Sequence, residues 1–517
     1  MQVRTNNHSF DYDVHSLVKA FYPLEDVKLT DLDATIEEDN CIDFTLPMDV
    51  DAKSRPEVKS SIKRDIYKIL SERTGITLPW GTLTGIRPCK IPMKMIEEWE
   101  QTRVNINSKS YVNGDILSKQ KDLRNDIYSH MKETYLVSDE KIALATDIAF
   151  REKNILKQIS GVNGYSLYIG IPFCPTRCLY CSFTSYPIAT YEKKGIVRRY
   201  IEALKEEIDY VACDFAGRCL DSVYIGGGTP TSISADDLRE IIRYVKSHLD
   251  VSHVRELTVE AGRPDSITRD KLMMLKEEGV TRISINPQTM NEKTLKIIGR
   301  QHTVEQLIDA FKLARECGHD NINMDIILGL PGEGCEEVSN TLKKIKSLKP
   351  DSLTVHSMAI KRAAGMHDYL TEHPELESIN TPEIMTLAAR AAQEMGMKPY
   401  YLYRQKNMSG NFENTGYAIP GKEGIYNIAI MEEVQSIVAC GAGTVTKNVI
   451  PQSADIKMIA GDGGNRSKLC QPEQGLETTD SFTNVRIERC DDVKDIGLYI
   501  EKIDEMIERK RRLFSEG

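Results

Sequence analysis

From Tyr165 to Met358 six short runs rich in β-branched and aromatic residues alternate with longer amphipathic stretches, and this alternation is what most limits the fold. The runs are YSLYIGI (165–171), LDSVYIG (220–226), RELTVEA (255–261), TRISIN (281–286), NMDIILGL (323–330) and DSLTVHSM (351–358). Between them lie helical segments such as ATYEKKGIVRRYIEALKEEIDYV and SADDLREIIRYVKSHL, the second opening on a Ser234 to Asp237 capping pair. Six strand-then-helix repeats predict an α/β fold, a parallel sheet covered by helices and closed as a partial (βα)6 TIM-like barrel. Such barrels carry their chemistry at the carboxyl ends of the strands. The unusual residues gather at that rim. Cysteines follow the first run, GGGTPT (226–231) follows the second, and Glu260 ends the third. Gln288 lies just past the fourth run, Asp325 is in the fifth, and His356 with Ser357 closes the sixth.

Three of the twelve cysteines, Cys174, Cys178 and Cys181, stand in C-x3-C-x2-C spacing right after the first run. Thiolates so spaced can take three corners of a [4Fe–4S] cluster. The open fourth iron can chelate the amino and carboxylate groups of S-adenosylmethionine (SAM), and an electron then cleaves the sulfonium to a 5′-deoxyadenosyl radical. A structural zinc site competes, but zinc wants a fourth Cys or His at short range and none follows closely. Three unrelated buried cysteines are the other alternative. The position after the first strand favours the cluster.

Composition excludes several classes. A formal charge of −10 and a pI near 5.7 supply no long basic face, which argues against a nucleic-acid partner. No apolar run reaches bilayer length and MQVRTNNHSFDYDVH lacks a signal core, so we expect a cytoplasmic protein with reduced cysteines and no membrane insertion.

At 517 residues the chain is too long for one core. We expect a small mixed α/β domain over 1–118, a helical linker over 119–161, the barrel over 162–380 and a C-terminal α+β cap over 381–517. The first holds a strand at Cys41 to Val50, a helix at Pro56 to Glu72 and LPWGTLTGIRP (78–88), read as a packed loop. The linker carries a helix from Asp139 to Ser160 behind Ser138. In the cap, KPYYLYR (398–404), GIYNIAI (424–430) and TVTKNVI (444–450) are candidate strands, 453–482 an exposed loop, and Val493 to Phe514 a helix. Arg509 to Arg512 sit in its last turns, where basic residues favour the helix dipole.

YIGIPFCPTRCLYC, GGGTPT, TVEAGRPDS, GVTRISINPQTMNEKTLKIIGRQHT and NMDIILGLPGE together resemble the radical SAM coproporphyrinogen dehydrogenases, the oxygen-independent coproporphyrinogen III oxidases. LPWGTLTGIRP and YYLYRQKNMSGNFENTGYAIPGKEGIYNI look like the HemZ-type branch. The resemblance implies a [4Fe–4S] cluster on Cys174, Cys178 and Cys181, with Tyr168 and Phe183 shielding it. It implies Gly226, Gly227, Gly228 and Thr229 near the methionine part of SAM, and Glu260, Gln288, Arg300 and Asp325 as polar SAM ligands. Arg300 would pair the carboxylate, and Asp325 would accept from ribose or an amino group.

The implied reaction is oxidative decarboxylation of two propionates of coproporphyrinogen III to the vinyl groups of protoporphyrinogen IX, in haem biosynthesis. A reductase or flavodoxin would donate electrons and a further acceptor would take the last. Lys361, Arg362, Arg404 and Lys406 are candidates for the substrate carboxylates, and His356 and the Gly441 to Gly443 turn for the cavity wall. Two positions depart from the family's best-known oxidases: Gly170 stands where they carry a histidine, and Phe183 where they carry a fourth cysteine. The alternatives are a haem-binding chaperone of the same family and a radical SAM enzyme modifying another tetrapyrrole.

Overall fold

The computed structural model describes residues 1–23, 25–34, 41–48, 51, 54–85, 87–104, 113–359, 365–376, 378–405, 408–451 and 485–515. Lys361, Arg362, Lys406 and the 453–482 stretch lie outside the described residues. The chain forms two compact units, Met1–Phe150 with Leu402–Glu413, and Arg151–Tyr401 with Asn414–Gly517.

The first unit holds three parallel strands, β1 (Gln2–Thr5), β2 (Lys28–Asp31) and β3 (Cys41–Phe44), in the order β2-β1-β3. β3 is shorter than the expected 41–50 run because Asn6 captures the chain beyond it. The Asn6 amide donates to Leu46 O at 2.8 Å and accepts from Leu46 N at 2.6 Å. Helices Asp11–Phe21 and Arg55–Thr74 bury Val14, Leu17 and Val18 against Ile62, Ile66 and Leu70. The second helix begins with Pro56 in its first turn and stops at Gly75, whose φ of 69° suits a glycine C-cap. Residues 78–85 of LPWGTLTGIRP form a packed loop. Trp80 is fully buried, donates to Glu413 Oε2 at 2.8 Å, and shares that carboxylate with Lys141 at 2.7 Å.

The second unit is built on one eleven-stranded sheet, order β12-β13-β11-β10-β9-β8-β7-β4-β14-β15-β16. Its centre is the expected parallel series: β4 (Gly164–Ile171), β7 (Cys219–Gly227), β8 (Glu256–Gly262), β9 (Arg282–Ile285), β10 (Ile322–Leu328) and β11 (Ser352–Ser357). A two-stranded pair, β5 (Phe173–Cys174) and β6 (Tyr186–Pro187), lies between β4 and β7 in the chain. Later strands extend both edges. β12 (Lys398–Tyr403) and β13 (Asn414–Ala418) lie beyond β11, while β14 (Ser436–Cys440) runs parallel to β4 and leads to β15 (Val445–Pro451) and β16 (Val485–Asp491).

Period-two alternation sorts these strands into two faces. Leu167, Ile169, Val223, Ile225, Val259, Ile283, Met324, Ile326 and Val355 are buried on one face. Each contributes about 1.5–3 kcal/mol by leaving water. The opposite face is polar. Tyr168, Tyr224, Thr258 and Arg282 stand in one register row across four strands, with Glu256, Glu260, Asp325 and Thr354 on the same side. Helices follow the strands, and Ser234 caps Ala235–His248 by accepting from Asp237 N at 3.0 Å, worth about 1 kcal/mol.

Three expectations need correction. GIYNIAI is not a strand but the helix Ile425–Glu432. Its first N–H, at Ile425, donates to the buried Glu256 carboxylate, a favourable charge at a helix N-terminus. The final helix breaks at Lys502 into Ile496–Glu501 and Ile503–Ser515. Lys510, expected with its basic neighbours to serve the helix dipole, follows Ile503, Met506 and Ile507 on the buried face and pairs with Glu207 and Asp492.

Candidate functional site

The three-cysteine loop runs from β5 to β6 and is fastened at several points. Gly228 N donates to Ile171 O at 2.8 Å and Thr229 N to Phe173 O at 2.7 Å. Leu179 N reaches Ile298 O at 3.1 Å and Tyr186 N reaches Pro172 O at 2.8 Å. All three cysteines are half-buried free thiols. Burial pushes the Cys174 thiol up to about 11, opposed by Thr229 and Arg263 and reinforced by Cys181 and Cys178. Burial also raises Cys181, while the Phe183 backbone N–H lowers it. Thr229 Oγ1 lies 3.4 Å from Cys174 Sγ, and Arg263 Nη1 donates to Cys178 Sγ at 3.8 Å. Among the described residues no three His, Cys, Asp or Glu converge on a single-ion site. The corners of an iron–sulfur cube stand farther apart than the ligands of one ion.

The glycines at the end of β7 are required by close packing. A Cβ on Gly228 would stand 2.5 Å from Phe173 O, and one on Gly227, where φ is 106°, 3.1 Å from Ile171 N. A Cβ on Gly226 would meet Glu260 at 3.1 Å. The bare Gly227 and Gly228 let the cysteine loop lie against β7, while Gly226 faces the polar interior.

In that interior Tyr224 donates to Glu260 Oε1 at 2.6 Å. Tyr224 stacks on Tyr426 with ring centres 4.6 Å apart, and Tyr168 lies 6.0 Å from each. Burial pushes Glu260 up to about 7, opposed by the Tyr224 hydrogen bond and raised further by the nearby Asp325. Burial opposes ionisation of Asp325 too, but His356, Asn323 and Thr354 hold its carboxyl below the ordinary value. His356 Nε2 is 3.9 Å from Asp325 Oδ2, and Asn323 donates to Oδ1 at 2.7 Å.

Next to the cysteine loop, Arg300 is buried and donates to Asn286 O at 2.7 Å and Tyr180 Oη at 3.1 Å. Gln288 adopts φ 63°, in the left-handed region, because its backbone bridges Asp325 O at 2.9 Å and Ile327 N at 2.9 Å. Several buried polar atoms here have no partner: Gln288 Oε1, Asn286 Oδ1, Arg300 Nε and both ring nitrogens of His302. Native interiors satisfy such atoms, so these point to a polar ligand. Three thiols, a cradle that a Cβ would fill and orphaned donors and acceptors fit a cluster with SAM.

Not every expected residue joins this group. The Phe183 ring is 69% exposed. Arg404 is buried in the first unit, donating to Leu83 O and Asn411 Oδ1 at 2.5 Å each, so it is not a free cation for substrate. The Gly441 to Gly443 turn braces β4 rather than lining a cavity, since a Cβ on Gly441 would lie 2.6 Å from Gly170 O. Gly170 in turn has no room for a histidine, because its Cβ would stand 2.5 Å from Thr444 Cγ2. Residues overlooked in the sequence are Tyr224, legible as the inward neighbour two before Gly226, and Arg263 and Tyr426, which gave no local signal.

The fold and the cysteine rim define a radical SAM protein, and the Radical SAM superfamily matches residues 168–345. Members use a [4Fe–4S] cluster and SAM. The chain is 40% identical over 421 residues to the oxygen-independent coproporphyrinogen-III oxidase-like protein HemZ of Bacillus subtilis (strain 168), covering 81% of this chain and 79% of that one. It is 30% identical over 311 residues to the heme chaperone HemW of the same strain, covering 58% and 76%. It is 31% identical over 194 residues to the oxygen-independent coproporphyrinogen III oxidase of Escherichia coli (strain K12), covering 38% and 42%. The chain therefore belongs to the radical SAM family of coproporphyrinogen III oxidase-like proteins to which HemZ belongs. Among the described residues no helix is long and apolar enough to cross a membrane.

Proposed function

We propose that this chain catalyses the oxygen-independent oxidative decarboxylation of coproporphyrinogen III to protoporphyrinogen IX. The observation that carries the reading is the meeting, on one rim, of three half-buried thiols with the unpartnered polar atoms of Gln288, Asn286 and Arg300. Cys174, Cys178 and Cys181 would hold the cluster, leaving SAM to Glu260, Gln288, Arg300 and Asp325. With both bound, the pair supplies a one-electron cleavage that yields a hydrogen-abstracting carbon radical.

The chain's own residues bind and orient. Arg300 offers a guanidinium to the methionine carboxylate, and Glu260, once ionised, accepts from the methionine ammonium. Asp325, held charged by His356, accepts from the ribose. Tyr168, stacked with Tyr224 and Tyr426, keeps water from the reacting side. Each propionate gives up one hydrogen atom, carbon dioxide and one electron, so a reductase or flavodoxin on one side and a separate acceptor on the other are the partners. The similarity to the heme chaperone HemW carries a second reading, haem binding without turnover.

The test is anaerobic incubation of cluster-reconstituted protein with SAM, a strong reductant, an electron acceptor and coproporphyrinogen III. Chromatography should show 5′-deoxyadenosine and protoporphyrin together, and neither with Cys178→Ala. Deoxyadenosine without protoporphyrin would reject this substrate, and stoichiometric haem binding with no product would favour the chaperone reading.

A further inference from the structure

We propose that Arg263 is a positioning residue that holds the cysteine loop and raises the reduction potential of the cluster through Cys178. This rests on the cluster assignment above. Arg263 is 3% exposed and lies one residue beyond β8. The β8–β9 register shifts between Glu260 and Gly262, and Gly262 takes φ 44°. An irregularity of this kind bends a strand end and re-aims the side chains beyond it.

The guanidinium is fully committed. Its Nε and Nη2 grip Asp265 Oδ1 at 3.0 Å and Oδ2 at 2.6 Å. Its Nη1 donates to Thr176 O at 2.9 Å, Thr176 Oγ1 at 2.8 Å and Cys178 Sγ at 3.8 Å. The planar fork suits a bidentate carboxylate, and Asp265 fixes its orientation. The turn beneath is tied down as well. Ser266 Oγ donates to Arg263 O at 2.8 Å and pairs with Thr231 Oγ1 at 2.7 Å, linking it to GGGTPT. One side chain thus joins the end of β8 to the loop backbone between two cluster ligands and to the sulfur of one of them.

Electrostatics sets the sign. Reduction adds negative charge to the cluster, and hydrogen bonds to its sulfurs are among the determinants of its potential. A buried cation donating an N–H to a ligand sulfur favours the reduced state. Asp265 opposes that effect by neutralising the cation. Removing each partner should therefore move the potential in opposite directions.

The experiment is a spectroelectrochemical titration of the reconstituted full chain, with iron and sulfide content measured beside it. Arg263→Met should shift the midpoint to more negative values, lowering the reduced-to-oxidised ratio at a fixed potential about tenfold, the scale of one charge-assisted hydrogen bond. Arg263→Lys should recover part of that loss, and Asp265→Asn should shift the midpoint positively. If Arg263→Met does not load, the Lys and Asn variants decide by the same signs. Unchanged midpoints in fully loaded variants overturn the proposal and leave a purely structural clamp. Absence of iron from the unaltered chain rejects the cluster assignment itself.

Discussion

Tyr224 Oη and Glu260 Oε1 are joined by a 2.6 Å hydrogen bond inside the polar interior of the sheet. The bond holds down a carboxyl that burial raises from 4.5 to about 7. The folded state therefore binds this proton more tightly than the unfolded chain. The associated stability is complete below pH 4.5 and is lost as pH rises through about 7. Glu260→Gln should stabilise the fold at pH 8 by about 1–3 kcal/mol and not at all near pH 4, read from melting temperatures across the range. SAM binding to the unaltered protein should strengthen as pH rises through the same window if, as proposed, the ionised carboxylate accepts from the ammonium.

Gly228→Ala tests the packing of the cysteine loop. The new methyl would stand 2.5 Å from Phe173 O, where backbone rather than a flexible side chain must give way. We predict a loss of about 1–3 kcal/mol and a fall in iron and sulfide after reconstitution. Unchanged metal content would show that the loop is not held by this contact.

Lys510, Glu207 and Asp492 form a charge cluster in which Lys510 and Glu207 are fully buried. Tyr499 donates to Glu207 at 2.6 Å and Thr444 to Asp492 Oδ2 at 2.8 Å, while Asp492 Oδ1 is buried without a partner. Burial and the neighbouring Glu207 push Asp492 up to about 7 even beside the lysine. Lys510→Met should cost about 3–5 kcal/mol above pH 7, because it strands buried negative charge. The cost should shrink below pH 6 as the Asp492 carboxyl takes up a proton, which thermal melts at the two pH values will show.

Arg300→Lys should weaken SAM binding about tenfold or more, since an ammonium cannot hold Asn286 O and Tyr180 while also offering a fork to a carboxylate. Calorimetry on the cluster-loaded protein checks this. Equal affinity would remove Arg300 from the SAM site.

The six central strands were legible in the sequence because buried strands carry β-branched residues in short runs between strong helix patterns. The rim residues followed from that, since a strand's end locates its last inward side chain. GIYNIAI misled for a physical reason: Tyr426, Ile428 and Ala429 are all buried, and eight residues apolar on most sides show neither period. The buried pairing of Lys510 stayed hidden because its partners, Glu207 and Asp492, come from distant segments. Arg263 was hidden by the irregularity at the end of β8, which no local pattern announces.

The central claim is that the cysteine rim drives loss of carbon dioxide from a propionate-bearing tetrapyrrole. The most direct measurement is release of labelled carbon dioxide from coproporphyrinogen III carrying label in its propionate carboxylates, under anaerobic reducing conditions with SAM. Carbon dioxide should appear in step with 5′-deoxyadenosine and be abolished by Cys178→Ala. Deoxyadenosine formed with no labelled carbon dioxide, or carbon dioxide release unaffected by Cys178→Ala, would contradict it.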